Sequence, residues 1–257
     1  MTLTTLSSQK PKSKKYWESR FWAVFLKRRK EGRNGRKKEQ RSYISGVRQL
    51  GSGKQKSIFA GKKRKEEELI AEQYRTIGTN IQFITGTKRN NIILVTSPGK
   101  GEGKSATAAN IALSLAQQGN KVLLIDANFR CPEQHNIFNI LNIFGFTDIL
   151  DGKVTFERAI TKVKGIHILT SGTIPISLST HRAEKLLDKV KTEYSMVIID
   201  SSPLLEINDT RILANICDGV VLVFKQNETR VEKALESKRI LEYAQAKVLG
   251  VVLNEKN

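Results

Sequence analysis

Long hydrophobic runs are missing from this 257-residue sequence, and so are paired cysteines. The longest apolar runs, counting glycine, hold six residues each, whereas a membrane-spanning helix needs about 18 or more. The first run, Phe21 to Leu26, is also too short for a signal-peptide core, and no small-residue cleavage site follows it. We therefore expect no transmembrane helix and a cytoplasmic protein.

Cysteine, proline and histidine are all scarce. Cys131 and Cys217 lie 86 positions apart without Cys-x-x-Cys or Cys/His spacing, which excludes a disulfide framework and a zinc site, and we expect both thiols to be buried. The 3 histidines show no ligand spacing. With 39% hydrophobic residues and 5 prolines, the chain is neither wholly disordered nor collagen-like.

Acidic residues are few, 25 against 44 basic ones, which gives a formal net charge of +19. Residues 1 to 65 hold 21 of the basic residues and three acidic ones, so the remainder is nearly neutral. We therefore predict two units, a basic N-terminal extension at 1 to 65 and a folded domain at 66 to 257. Glycines interspersed with Lys, Arg, Ser and Gln predict that most of the extension is disordered.

One part of the extension, Tyr16 to Leu26, is rich in aromatic residues and is followed by four cations. A helix here would place Trp17, Phe21 and Val24 on one face, and we predict that residues 16 to 30 contact an anionic membrane surface. The protein would then be peripheral at the inner face of the cell membrane. One alternative is that these aromatics dock on the folded domain; the least favoured is that the basic arm binds nucleic acid.

The folded domain alternates between helical and strand patterns. Five apolar residues at steps of four and three predict an amphipathic helix over 66 to 84. Short apolar runs predict strands near 91–96, 121–126, 166–170, 196–200, 219–224 and 248–253, with helices near 104–118, 181–193, 208–217 and 229–245. Thr229 and Glu232 predict a capping box at the last helix. Strands that are apolar at consecutive positions are typical of a doubly wound α/β fold with a mostly parallel sheet, whose ligands bind at the carboxyl ends of the strands.

A glycine-rich loop at 96 to 105 joins the first of these strands to a small-residue helix. Its amides can turn toward phosphate oxygens, Lys104 can reach the β and γ phosphates, and Ser105 can bind Mg²⁺. The strict P-loop pattern needs glycine where Pro98 stands, so the assignment rests on the strand before and the helix after. The alternative is a glycine-rich turn with an incidental lysine. The predicted nucleotide contacts are Gly99, Lys100, Gly101, Glu102, Gly103, Lys104, Ser105, Ala106 and, at the end of the last strand, Asn254.

Two predicted strands end in an aspartate, Asp126 and Asp200. Asp200 suits the acidic strand end that holds Mg²⁺ through water in P-loop proteins, and Asp126 could join the metal shell or accept a proton from an attacking hydroxyl. The alternative is that each aspartate merely caps the turn after it. We predict Ser105, Asp126 and Asp200 as metal ligands and Lys104, Asp126 and Asp200 as catalytic residues.

Residues 66 to 257 resemble the bacterial protein-tyrosine kinases (BY-kinases) of capsule and exopolysaccharide gene clusters, which have modified P-loop motifs. The resemblance rests on the segments 72–83, 96–105, 124–130, 198–203, 217–223 and 249–254. It implies ATP·Mg²⁺-dependent transfer of the γ-phosphoryl group to protein tyrosines, control of polysaccharide chain length or export, and activation by the cytoplasmic tail of a transmembrane partner. Lys104, Ser105, Asp126 and Asp200 match the family's site, and we expect Asp126 to take the phenol proton.

Three departures from the family pattern bear on activity. Asn128 stands where the family has a second carboxylate, so we expect reduced activity. This chain keeps Glu72 and Arg75 of the family's self-association motif but has Gly78 in the third place. The motif therefore does not decide whether the chain forms a homo-oligomer. The family's C-terminal tyrosine cluster is missing, since Tyr243 is the last tyrosine.

The five tyrosines of the chain differ in their predicted accessibility. Helical or strand-adjacent positions predict that Tyr74, Tyr194 and Tyr243 pack in the core. Tyr16 and Tyr43, in the extension, are then the predicted acceptors.

Two other functions compete with the kinase. ParA/MinD-like partitioning ATPases share this fold and its strand-end aspartates, but they place a second lysine five positions before the loop lysine, where this chain has Gly99. A catalytically weak ATP-binding regulator of a polysaccharide exporter is favoured by Asn128 and by the missing tyrosines. The kinase ranks first, the regulator second and the partitioning ATPase third.

Overall fold

A central β-sheet with helices on both faces organises the computed structural model, which describes residues 22–26, 57–86, 90–173 and 178–254. The strands of the described residues are β1 (Trp22–Leu26), β2 (Asn91–Thr96), β3 (Val122–Ala127), β4 (Ile160–Val163), β5 (Ile166–Leu169), β6 (Met196–Ser201), β7 (Gly219–Lys225) and β8 (Val248–Asn254). The helices are α1 (Ser57–Thr85), α2 (Lys104–Gln117), α3 (Gln134–Phe138), α4 (Phe146–Leu150), α5 (Phe156–Ala159), α6 (Thr180–Glu193), α7 (Asn208–Ile216) and α8 (Val231–Tyr243).

The strand order in the sheet is β1-β8-β7-β2-β6-β3-β5-β4. Neighbouring strands are parallel throughout, except that β4 pairs antiparallel with β5. The predicted doubly wound, mostly parallel α/β fold is confirmed, and the hairpin partner β4 is an addition to the predicted strands. In this arrangement the carboxyl ends of β2, β3, β6 and β8 reach the same edge of the sheet.

The core consists of two layers, one on each face of the sheet. Along β2, Ile92 and Leu94 pack in one layer while Ile93 and Val95 pack in the other, and all four are at most 2% exposed. Helices α1 and α2 cover the second layer, whereas α4 to α8 cover the first. Burial on both faces explains why these strands are apolar at consecutive positions rather than at alternate ones.

Helix α1 begins at Ser57, earlier than the predicted start at residue 66, and its predicted apolar stripe faces α2. Ile77 and Ile81 on this stripe are fully buried. Gly78 is buried as well, and a Cβ at this position would lie 2.9 Å from the Gln118 Nε2 on α2. The third place of the self-association motif therefore faces a neighbouring helix of the same chain rather than solvent.

The predicted interfacial helix is wrong for Trp22–Leu26, which form strand β1 instead. This strand pairs in parallel with β8, so that Leu26 lies opposite Asn254. An open sheet edge offers unpaired N–H and C=O groups, and an extended segment can bond them where a helix would bond only itself. For these five residues the structure favours the docking alternative; the rest of 16 to 30 lies outside the described residues.

Some expectations about burial are also corrected. Cys131 is exposed, so its predicted burial is wrong, whereas Cys217 packs against the core and burial raises the pKa of its thiol. Cys131 lies in the turn between β3 and α3. Within the described ranges, the structure contains no helix with the length and apolar character of a membrane span.

Candidate active site

The predicted site residues meet at the carboxyl edge of the sheet. The phosphate loop, residues 96 to 105, follows β2, while Asp126 and Asp200 lie in β3 and β6. Strand β6 runs between β2 and β3, and Asp200 is the register partner of Asp126 on one side and of Val95 on the other. Because adjacent strands are about 4.8 Å apart, this register places both carboxylates beside the phosphate loop.

Two glycines give the phosphate loop its curvature. Gly101 and Gly103 have φ values of 75° and 89°, in the left-handed region that side chains disfavour. A Cβ on Gly103 would also lie 2.0 Å from the Asn254 Nδ2. Asn254 donates from this nitrogen to the backbone oxygen of Glu102 at 3.1 Å, so the end of β8 supports the loop. Its predicted contact with the adenine stays a prediction.

Lys104 and Ser105 open helix α2 directly after Gly103. They are 8% and 1% exposed, and the Lys104 Nζ lies 3.5 Å from the Ser105 Oγ. The Thr107 hydroxyl, one turn further, is buried without a hydrogen-bond partner among the described residues. An ammonium, a hydroxyl and the first amides of a helix are groups that bind phosphate oxygens.

Lys100 and Ala106 lie at the exposed surface of this loop and helix. The Lys100 Nζ forms an ion pair with the Glu206 Oε2 at 3.2 Å, and this bond joins the loop to the segment after β6. In the same place Leu204 donates from its backbone N–H to the Ser97 oxygen at 2.8 Å. These contacts hold the phosphate loop against the strand that carries Asp200.

The carboxylate of Glu102 ties the phosphate loop to the turn before α8. It accepts hydrogen bonds from the Gly99 N–H at 3.1 Å and from the Thr229 hydroxyl at 2.6 Å. Burial raises the pKa of Glu102, and these two bonds oppose that effect. The predicted capping box is wrong, because Arg230 is the residue that precedes α8 and the Thr229 hydroxyl is used by Glu102.

Thr229→Val is expected to lower the free energy of unfolding by about 1 to 3 kcal/mol, since a buried carboxylate loses a donor. The Thr229 hydroxyl also accepts the Lys225 N–H at 2.9 Å, so the variant breaks two bonds with little change of volume. Urea unfolding measures the loss, and Thr229→Ser, which keeps the hydroxyl, is the matched control. Equal stability of the valine and serine variants would contradict this role.

Asp126 and Asp200 form a buried carboxylate pair, both 0% exposed. Asp126 accepts three backbone N–H bonds, from Asn128 at 3.1 Å and from Glu133 and Gln134 at 3.0 Å each. Burial and then the neighbouring Asp200 charge raise its pKa to about 8, against the effect of these bonds. Burial also raises the pKa of Asp200 to about 6, a rise that the positive charge of Lys104 limits.

Asn128, in place of the family's second carboxylate, bonds the two turns on this side of the site. Its Nδ2 donates to the Cys131 oxygen at 2.5 Å, and its Oδ1 accepts from the Ser202 hydroxyl at 2.9 Å. The side chain is 2% exposed. The neutral amide therefore braces the turn after β3 against the turn after β6.

Gln134 is a site residue that the sequence motifs did not reveal. It is 0% exposed, and its Nε2 donates to the Asp200 Oδ2 at 2.8 Å and to the Ser105 oxygen at 3.0 Å. No motif predicts that a glutamine at this position belongs to the site. The one feature of the sequence that connects Gln134 to the site is its position eight residues after Asp126.

The donor set suits a hard cation that keeps some of its own water. Among the described residues no three His, Cys, Asp or Glu side chains converge as a metal cage. The carboxylate pair and the Ser105 hydroxyl supply oxygen only, and the Asp200 Oδ1 is buried without a partner in the described chain. Mg²⁺ is typically held by one or two carboxylates together with substrate phosphates and water.

Of the tyrosines that the structure describes, Tyr74 and Tyr194 are buried, 6% and 1% exposed, as predicted. Tyr194 bonds the His167 Nδ1 at 2.6 Å, and burial raises its pKa to about 12. The same prediction is wrong for Tyr243, which is 88% exposed at the end of α8. Tyr16 and Tyr43 lie outside the described residues.

Comparison with known families and folds agrees with this site. Residues 90–236 match the AAA domain family. This range of the chain includes the phosphate loop and the carboxylate pair. A MinD protein from Pyrococcus horikoshii in complex with Mg-ADP has the same fold, with a TM-score of 0.54, 22% identity and coverage of 63% of this chain and 69% of that one. This chain thus shares the fold of that protein.

Tyrosine kinases are more similar. The tyrosine-protein kinase YwqD of Bacillus subtilis is 41% identical over 212 residues, 80% of this chain and 89% of that protein. The putative tyrosine-protein kinase CapB of Staphylococcus aureus is 34% identical over 200 residues, 74% of this chain and 86% of that protein. The crystal structure of the chimerical protein CapA2B2 gives a TM-score of 0.68 at 33% identity, covering 72% of this chain and 84% of that one. The resemblance noted in the motifs is confirmed: this chain belongs to the bacterial tyrosine-protein kinase family.

Proposed function

We propose that this protein transfers the γ-phosphoryl group of ATP to protein tyrosines in an Mg²⁺-dependent reaction that regulates capsular or exopolysaccharide synthesis or export. One observation carries the proposal: Lys104, Ser105 and the carboxylate pair lie side by side at one edge of the sheet. Relatives of similar length are named tyrosine-protein kinases, which favours phosphoryl transfer to tyrosine over partitioning.

The residues present fit ATP and Mg²⁺. Lys104 and the amides of the phosphate loop would bind the β and γ phosphates. Ser105, Asp126 and Asp200 would hold Mg²⁺, and the unpartnered Asp200 Oδ1 is an oxygen that a cation or its water would satisfy. When bound, Mg²⁺ neutralises charge on the transferred group.

The chain's own contribution is positioning and proton transfer. A tyrosine phenol has a pKa of about 10 and is a poor nucleophile at neutral pH unless a base takes its proton. We assign that base to Asp126, whose pKa is raised toward neutrality by burial and by the charge of Asp200. Three backbone N–H bonds keep the Asp126 carboxylate in place, and a carboxylate can accept about four bonds, so one acceptor site remains, which either the Mg²⁺ shell or the phenol proton can use.

Tyr243 is expected to be an acceptor for transfer between molecules, since its hydroxyl is exposed whereas those of Tyr74 and Tyr194 are buried. Incubation with γ-labelled ATP, Mg²⁺ and a panel of partner tails, followed by mass spectrometry, tests both the reaction and the acceptor. We expect phosphate on Tyr243 and none on the two buried tyrosines, and Tyr243→Phe removes that signal. Absence of phosphotyrosine under all these conditions would contradict the proposed activity, while phosphate confined to buried tyrosines would contradict only the acceptor.

A catalytically weak, nucleotide-binding regulator is the second candidate. It is favoured by Asn128, whose amide has no charge and whose polar atoms bond Cys131 and Ser202. The labelling experiment separates the two, because a regulator would bind ATP without forming phosphotyrosine.

The partners proposed are a transmembrane activator with a cytoplasmic tail and an anionic membrane surface. The transmembrane activator is proposed from the family resemblance, and the chimerical protein CapA2B2 is among the similar solved structures. The membrane contact predicted for residues 16 to 30 stays a prediction for the part outside strand β1, and it rests on the basic charge of the extension. Flotation with liposomes that contain phosphatidylserine tests it, and indifference to anionic lipid would remove it.

A further inference from the structure

The buried side chain of Gln134 connects the phosphate loop helix to the carboxylate pair. Its Nε2 donates one hydrogen bond to the Ser105 backbone oxygen at 3.0 Å and one to the Asp200 Oδ2 at 2.8 Å. Its backbone N–H donates to the Asp126 Oδ2 at 3.0 Å. A single residue thus contacts both carboxylates and the first turn of α2.

These contacts use every hydrogen of the Gln134 amide and leave its oxygen unsatisfied. The Gln134 Oε1 is buried and has no hydrogen-bond partner among the described residues, and the same is true of the Asp200 Oδ1. Both atoms are acceptors, so neither can satisfy the other. Leaving a buried acceptor without a donor is unfavourable, and native structures supply such groups with water or ions.

We propose that Gln134 is a positioning residue of the metal site, acting on Asp200 and on the water around Mg²⁺. Its amide group holds the Asp200 Oδ2, which leaves the Oδ1 free for the cation. Its own Oε1 accepts a hydrogen bond from a water molecule of the cation's hydration shell. The inference rests on the proposed binding of Mg²⁺ and nucleotide and adds a residue that orients a carboxylate ligand of the cation.

The chemistry of the neighbours explains why an amide suits this position. A carboxylate in place of Gln134 would have no hydrogen to donate to Asp200 and would add a third negative charge to the buried pair. An aliphatic side chain would fill the space but take away the donor that Gln134 supplies to the Asp200 Oδ2. The amide supplies two donors and one acceptor without charge.

The experiment compares Gln134→Leu with the matched control Gln118→Leu. Gln118, at the opposite end of α2, also donates two bonds from its Nε2, to the Arg75 oxygen at 3.3 Å and to the Ser114 Oγ at 3.4 Å. Calorimetric titration of the ADP-saturated protein with Mg²⁺ measures cation affinity, and titration with ADP in the absence of Mg²⁺ measures nucleotide affinity. Gln134→Met, which retains the length of the side chain, repeats the test if the leucine variant unfolds.

Loss of an orienting partner typically lowers metal affinity or activity about 10- to 100-fold, and we expect Mg²⁺ affinity to fall by that factor in both Gln134 variants. ADP affinity without Mg²⁺ and both affinities of Gln118→Leu should stay within about twofold of wild type. A purely structural role would shift the melting temperature but not the Mg²⁺ affinity. Unchanged Mg²⁺ affinity in the variants overturns this inference alone, whereas a wild type that binds neither ADP nor Mg²⁺ overturns the proposed function and the inference with it.

Discussion

Lys104→Met is expected to lower the rate of tyrosine phosphorylation by about 100- to 1,000-fold, the usual effect of removing one preorganised group that stabilises transition-state charge. Lys104 is only 8% exposed, so its replacement has to fill a largely buried space. Methionine is close to lysine in length and can fill that space. What is lost is the positive charge next to Ser105 and Asp200. Initial rates with γ-labelled ATP and Mg²⁺ measure the effect.

The same charge also keeps Asp200 ionised, since Lys104 lowers its pKa against the effect of burial. The variant is therefore expected to weaken Mg²⁺-dependent ADP binding as well, which calorimetry can follow. Lys189→Met is the control, because Lys189 forms an exposed ion pair with Glu157 on the surface of α6. Phosphotyrosine that survives in Lys104→Met at wild-type rates would rule out the phosphate loop as the site of the reaction.

Burial on both faces is the reason that the central sheet could be predicted from the sequence. A strand such as β6, with every residue buried, is apolar at consecutive positions from Met196 to Ile199, before its polar end at the site, and that pattern is local. The phosphate loop could be predicted despite Pro98 because a strand precedes it and a small-residue helix follows it. The structure adds that Gly101 and Gly103 have the positive φ values that favour glycine. The register that pairs Asp126 with Asp200 then follows from adjacent parallel strands.

Contacts between residues distant in sequence could not be predicted. Trp22–Leu26 have a pattern that a helix could also satisfy, and only the open edge of β8 makes a strand favourable. Thr229 and Glu232 have capping-box spacing, but the Thr229 hydroxyl bonds Glu102, 127 positions away. In both cases a partner outside the local window decides the conformation.

Tyr243 and Gln134 show the limits of periodicity and of motifs. Tyr243 comes two residues after the buried Leu241, and two steps along a helix turn a side chain by about 200°, to the opposite face. The amphipathic pattern of α8 contains this information, whereas membership of the helix alone does not. Gln134 fits no motif, because its role depends on three backbone segments that only the folded chain brings together.

Asp200→Asn is expected to have opposite effects on stability and activity. At pH 8, without nucleotide or Mg²⁺, the variant should unfold with a higher free energy than wild type, because burial raises the pKa of Asp200 and the asparagine carries no charge to bury. Phosphorylation should fall at least about 100-fold, because the cation loses an anionic ligand. The asparagine oxygen can still accept the bond from the Gln134 Nε2, so the change removes charge more than contacts.

The pH dependence follows from the raised pKa values. In the unfolded chain both aspartates ionise near their ordinary value of 3.8, whereas in the folded protein Asp200 ionises at about 6 and Asp126 at about 8. As pH rises from about 4 to 8 the unfolded chain releases protons that the folded chain retains, so the pair makes the folded state progressively less stable. Below pH 4 both states are protonated, and the advantage of Asp200→Asn should disappear.

Urea unfolding of both proteins at several pH values between 4 and 8 measures this difference, and a kinase assay measures the loss of activity. Asp188→Asn, on the exposed surface of α6, is the matched control and should show no such pH-dependent gain. A variant that is less stable than wild type at pH 8 would mean that the Asp200 carboxylate is well solvated or well paired in the free protein. The expected result instead identifies a pair of like charges that folding holds together at a cost in stability, which a bound cation would offset.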